Sequence, residues 1–140
     1  MKFKILIVLV SVGILSACTK QNATPNIQLM ESIDSLTRTS MKGNFMNGPF
    51  GTVSGNAFIS VINNEKKLIL ENLASSNGPD LHVYLSKEIQ PINFIDLGKL
   101  KSVNGTQVYS IDNNVNLKDF KFALVHCQQF NHLFGSANIQ

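Results

Sequence analysis

The chain of 140 residues owns two cysteines and three histidines, and four of these five can be argued into one site. His126 and Cys127 are adjacent, His132 follows after four intervening residues, and His82 lies far upstream. A thiolate is both a nucleophile and a soft metal ligand, and a neighbouring protonated histidine stabilises it. A neutral histidine can instead share a metal with it. Cys127 is therefore the candidate redox thiol. His82, Cys127 and His132 form a weaker alternative, a ligand set of the kind that binds copper. The thioether that usually completes such a set has no obvious source, since the four methionines are Met1, Met30, Met41 and Met46. A plain packing reading stands beside both. Cys127 follows Phe122-Ala123-Leu124-Val125, so it also fits as a small buried hydrophobe at the end of a strand. An exposed thiol beside a titratable neighbour is one outcome; a thiol buried among Phe120, Phe122 and Phe130 is the other. Neighbours on a strand point to opposite faces, so His126 reaches Cys127 only if the strand has ended there.

Asp80 and His82 sit in Gly78-Pro79-Asp80-Leu81-His82, where Gly-Pro supplies a tight turn into a strand. Asp80 can bond the turn's amides, and the pair can hold loop and strand together. Alternatively, His82 faces Cys127 across a sheet and tunes its acidity. No CxxCH is present for covalent haem. Neither a Ser-His-Asp order, nor a recognisable pair of carboxylates, nor a phosphate loop occurs, so the pattern does not point to a hydrolytic enzyme.

What surrounds these residues sets the compartment. Met1-Lys2-Phe3-Lys4 is a basic start, Ile5 to Leu15 is an apolar run, and Leu15-Ser16-Ala17-Cys18 closes it. That order of basic, apolar and small residues is a secretory signal, and the apolar run is far short of the roughly twenty residues that span a bilayer. The last four residues resemble the bacterial lipobox. The resemblance implies cleavage before Cys18 and acylation of Cys18, which anchors the mature chain to a membrane of the bacterial cell envelope, facing the periplasm or the cell exterior. Residues 1–17 then leave with Lys2 and Lys4, and the formal charge falls from +3 to +1. A nearly neutral chain has no electrostatic footprint for nucleic acid. With Cys18 acylated, Cys127 has no partner within the chain, so the fold rests on an apolar core rather than on disulfides.

Residues 18–41 read as the lipidated terminus and a flexible tether of about twenty residues. Ile27, Met30, Ile33 and Leu36 have helical spacing, but the run is brief and passes into Thr37-Arg38-Thr39-Ser40, so it reads as a weakly ordered lead-in. From residue 42 the signals are for strands. Residues 52–62 alternate and are rich in β-branched types; Asn63-Asn64-Glu65 is turn chemistry; residues 66–73 return as the second arm of a hairpin. Residues 81–86, 107–111 and 121–127 read as further strands and 134–139 as a last one, with a helical turn at 117–120. Seven to nine short strands separated by turns predict a single all-β domain over 42–140, a sandwich or a barrel-like sheet.

Several blocks of this domain resemble the DM13 family. They are Leu70-Glu71-Asn72-Leu73, Asn77-Gly78-Pro79-Asp80-Leu81-His82-Val83-Tyr84-Leu85-Ser86, Asp96-Leu97-Gly98-Lys99-Leu100-Lys101, Gly105-Thr106-Gln107-Val108-Tyr109, Cys127-Gln128-Gln129-Phe130 and Phe134-Gly135-Ser136-Ala137. The resemblance implies an extracellular or periplasmic β module. It also implies an accessory role in extracytoplasmic electron transfer or thiol redox chemistry, with Cys127 as the family's cysteine and an envelope redox protein as partner. It specifies no cofactor. Two departures are visible: His126 stands where many members have an aromatic residue, and Pro49-Phe50-Gly51-Thr52 lacks a histidine that many carry there. The rival expectation is a non-catalytic binding or scaffolding module with Cys127 in its core.

The anchoring expectation is directly testable. Cys18→Ser should release the protein from membranes or leave the signal uncut, seen by membrane fractionation and gel mobility. Unchanged fractionation and unchanged mobility would refute it.

Overall fold

The computed structural model of the protein describes residues 23–33 and 38–140. The expected signal peptide and Cys18 lie outside the described residues. The strands are β1 (Gln28–Met30), β2 (Arg38–Asn47), β3 (Val53–Ile62), β4 (Glu65–Ser75), β5 (Leu81–Ser86), β6 (Phe94–Lys99), β7 (Asn104–Ile111), β8 (Phe122–Cys127) and β9 (His132–Asn138). They join in the order β1-β7-β4-β3-β2-β9-β8-β5-β6. A single 3₁₀ turn, Leu117–Asp119, is the only helical element among the described residues. The predicted all-β class is what the structure has, with nine strands among the described residues.

Strand β2 makes one curled sheet out of two halves. Its first part, through Asn44, pairs with β3, and Phe45 to Asn47 pair with β9. The sheet wraps around one core, to which β3, β4 and β7 contribute Ala57, Ile59, Leu68, Leu70 and Tyr109. Strands β5, β8 and β9 face them with Leu81, Val83, Leu85, Ala123, Val125 and Ala137. The predicted hairpin is β3–β4. Asn63 and Asn64 take φ of 49° and 66°, the left-handed pair that a two-residue hairpin turn requires and that asparagine tolerates.

The strand directions collect the connections at two ends. Loops 48–52, 76–80, 100–103 and 128–131 share one end, here the near end, with the entering chain at 24–27. Connections 63–64, 87–93 and 112–121 lie at the far end.

The predicted tether needs correction. Its expected boundary at residue 41 falls inside β2, and residues 24–31 lie along the sheet edge. Thr24 N–H donates to Asn77 Oδ1 at 3.1 Å, and Asn77 Nδ2 donates to Thr24 O at 2.8 Å. Val103 N–H donates to Pro25 O at 2.9 Å. Gln28, Leu29 and Met30 pair in parallel with Asn104, Gly105 and Thr106. Glu31 then takes the Lys101 ammonium at 2.8 Å and the Val108 amide. Its burial alone would raise its pKa, but these hydrogen bonds and the Lys101 charge hold it below the ordinary value. Arg38 lies 4.0 Å over the ring of Phe58, on the face of β3 turned away from the core. The sequence hid all this because an edge strand of three residues has too few positions to show alternation. Of the apolar residues at helical spacing, Met30 lies in strand β1, since β7 offered open backbone groups to pair.

Docking of β1 depends on Gly105. Its φ is 106°, and a Cβ there would stand 1.8 Å from the Leu29 carbonyl oxygen. Gly105→Ala should therefore cost about 1–3 kcal/mol of folding free energy and expose residues 24–31 to protease. Urea unfolding and limited proteolysis will measure both. Unchanged stability with a protected N-terminal segment would contradict the account.

Candidate functional site

The register between β5 and β8 sorts the candidate residues. Leu81 pairs with Cys127, His82 with His126, Val83 with Val125 and Tyr84 with Leu124. Alternation then sends Leu81, Val83, Val125 and Cys127 inward and His82, Tyr84, Leu124 and His126 outward. Cys127 is 1% exposed and belongs to the main core with Leu81 and Phe120. Of the other two phenylalanines expected around it, Phe122 packs on the outer cluster with Tyr84, Leu124 and Leu133, and Phe130 is exposed.

This corrects the expectation that His82 faces Cys127. The residue opposite Cys127 on β5 is Leu81, and His82 is on the other side of the sheet. His126 is likewise on the outer face, because the strand does not end before Cys127. His132 is the register partner of Cys127 across β8 and β9, but its ring stacks on Phe50 with centroids 3.7 Å apart and planes within 2°. The alternative metal set of His82, Cys127 and His132 is not brought together. Among the described residues no three His, Cys, Asp or Glu side chains are placed to hold a metal.

The outer face instead gathers a polar and aromatic cluster. His82 Nδ1 lies 3.0 and 2.9 Å from the two carboxylate oxygens of Asp96. Its Nε2 lies 3.3 Å from Asp80 Oδ1. Asp80 Oδ1 is also 3.4 Å from Lys99 Nζ, and Gln128 Nε2 donates to Asp96 at 3.4 Å. Asp80 thus reaches His82 and Lys99 rather than the turn amides expected for it; Asn77 Oδ1 serves those, accepting from Gly78 N–H at 2.8 Å. Asp96 owes its position to a bulge. The β5–β6 register shifts between His82 and Tyr84, Gly98 takes φ 111°, and its amide donates to Asp96 Oδ1 at 2.8 Å. A Cβ at Gly98 would meet nothing, so the backbone angle is what calls for glycine.

Beside this carboxylate–imidazole pair the rings form a path. Tyr84, 2% exposed, stacks on Phe94 at 4.3 Å and on His126 at 5.2 Å, and lies 6.2 Å from His82. Burial chiefly, then the Asp96 charge, raises the pKa of the Tyr84 hydroxyl. His126 Nε2 lies 3.0 Å from Asn131 Oδ1. Its Nδ1 and the Nε2 of His82 are buried without a hydrogen-bond partner. The arrangement sets the His82 ring between the carboxylates of Asp80 and Asp96, and it places a buried phenol within stacking distance of the surface ring of Phe94. Sequence reasoning found His82 but missed Tyr84, Phe94, Asp96 and His126 as its companions. Asp96-Leu97-Gly98, an acidic residue just before a glycine, was the available sign of a bulge.

The electron transfer DM13 family matches residues 45–139, more than half of the chain. The protein belongs to the DM13 family. No curated protein and no solved structure matches it. The matched span begins inside β2 and ends with the last strand, so it includes the core, Cys127 and the whole outer cluster, while β1 precedes it.

Titration of this DM13 cluster has a definite sign. Burial lowers the pKa of His126 below its ordinary 6.5, against the hydrogen bond to Asn131; the charges of His132 and His82 add a smaller push downward. Tyr84 and Leu133 close the rest of its surroundings. A histidine depressed in the folded state stabilises fully above its unfolded pKa and loses that contribution as pH falls through its folded pKa. Histidine NMR should give His126 a midpoint below 6.5. Acid unfolding should lose part of its slope below that pH in His126→Gln. A midpoint at or above the ordinary value would refute the assignment.

Proposed function

We propose that this protein is a lipid-anchored envelope module serving as an accessory in extracytoplasmic electron transfer, with the outer face of β5, β6 and β8 as its working surface. The observation that carries the reading is the match of residues 45–139 to a family described by electron transfer. The cluster of His82, Tyr84, His126 and Asp96 supports the choice of surface. Rings 4.3 to 6.2 Å apart give short contacts between the buried phenol and the exterior, and His82 is held beside them by Asp96. Acylated Cys18 supplies the membrane attachment, and an envelope redox protein is the partner.

A second reading has its own observation. The 1% exposure of Cys127 favours a structural thiol, because exchange with a partner thiol requires that sulfur be reached. On that reading the domain binds or scaffolds envelope partners without redox chemistry.

Two measurements on the mature chain, extracted with its lipid from its own membranes, separate these readings. Voltammetry should show a reversible wave that Tyr84→Phe or His82→Gln shifts or abolishes. A preparation with no wave, folded and acylated, would leave only the binding module. Independently, native Cys127 should react with iodoacetamide at least about 100-fold more slowly than the unfolded chain, since reaction requires opening of the core. Rapid native alkylation would return Cys127 to the working site.

A further inference from the structure

The chain reaches the folded domain soon after the anchoring cysteine. Thr24 is only 7% exposed and is clamped to Asn77 on loop 76–80. Residues 19–23 alone separate it from Cys18. Fully extended, the six steps from Cys18 to Thr24 span about 20 Å. Strand β5 by itself is about 20 Å long, so an acyl anchor at Cys18 holds the near end of the sheet closer to the bilayer than the far end.

Three exposed apolar side chains stand at that end; Ile89 and Ile92 are exposed at the far end, but only the near end is within the anchor's reach. Phe50 is 54% exposed, Phe130 55% and Ile27 60%. They come from three separate near-end segments: loop 48–52, turn 128–131 and the entering chain. His132 ties two of them together, stacked on Phe50 at 3.7 Å and tilted to Phe130 at 5.9 Å. Lys99, at the same end, has a side chain 71% exposed. Aromatic rings with a polar or cationic neighbour suit the headgroup region of a bilayer, where Trp and Tyr gather for the same reason, and a lysine there favours anionic lipid.

We propose that the near end of the domain lies on the membrane, with Phe50 and Phe130 seated among the lipid headgroups. The proposal rests on the reading of Cys18 as the acylated terminus. The short reach from Cys18 selects the bilayer over a protein partner as the occupant of this surface. It also makes the domain an oriented body on the membrane, with the β5–β6–β8 face turned sideways to partners in the same membrane.

The chain contains no tryptophan, so one substitution gives one indole reporter. Acylated mature protein carrying Phe50→Trp, Phe130→Trp or Ile92→Trp would be reconstituted in phosphatidylethanolamine–phosphatidylglycerol vesicles with and without lipid brominated near the headgroup. Ile92 is 76% exposed in the far-end connection 87–93 and serves as the control. Bromolipid should quench the indole at positions 50 and 130 about twofold or more and leave the one at 92 unchanged. Protein that co-floats with vesicles and shows acylated Cys18 by mass spectrometry, yet is unquenched at 50 and 130, overturns the proposal and leaves the anchor standing. Equal quenching at all three positions also overturns it, because the domain then has no fixed orientation. Unmodified Cys18 and protein absent from the vesicle fraction overturn the anchoring reading, and this proposal with it.

Discussion

The register of β5 against β8 is the constraint from which the rest follows. Pairing Leu81 with Cys127 and His82 with His126 separates the thiol from the imidazoles by the thickness of a sheet. A slip of β5 by one residue would turn its side chains over, carrying His82 and Tyr84 into the core and Leu81 and Val83 outward. Both faces of β5 are buried, as all six of its residues show, so the register is held from two sides. The inner side is set by apolar packing of Val83, Leu85 and Val125. The outer side is set by the Asp96–His82 pair and the stack of Tyr84 between Phe94 and His126.

The outer cluster is costly to build, and its geometry offsets that cost locally. Two carboxylates and an imidazole are close together, with His82 only 8% exposed. Charge of this density is stable only when hydrogen-bonded and paired. Lys99, Gln128 and the Gly98 amide supply what His82 does not. His126 Nδ1, buried without a hydrogen-bond partner, and His82 Nε2, which meets Asp80 Oδ1 at 3.3 Å outside hydrogen-bond geometry, are the remaining deficit. Buried polar atoms without partners are uncommon in folded proteins, and they mark this face as the part of the domain shaped for something other than stability.

The N-terminal segment enters the sheet beside that face. Parallel pairing of β1 with β7 covers an edge that would otherwise be open to other chains. It also converts most of the apparent tether into structure. Thr24 and Pro25 line the same small cleft as Asp80 and Lys99, so the point of entry and the polar cluster are neighbours at one end of the sheet.

The sequence by itself determined what short-range chemistry controls. Period-two alternation marked β3, β4, β5 and β8, the Asn63-Asn64 pair marked the hairpin turn, and Leu117 to Phe120 marked the single helical turn. Motif order also identified the family from the residues of the matched span. Tertiary structure decided what depends on partners. Strands β1, β2 and β6 were not legible: β1 is very short, and β2 and β6 alternate between intermediate and exposed residues over much of their length, so their strand character comes from the neighbours they pair with. The same holds for the site. Spacing placed Cys127 near two histidines along the chain, His126 and His132, but distance along a chain says nothing about which face of a sheet a residue takes. Only the pairing of β5, β6 and β8, with its bulge at Gly98, put Asp96 under His82, laid Phe94 on Tyr84, and turned Cys127 into the core.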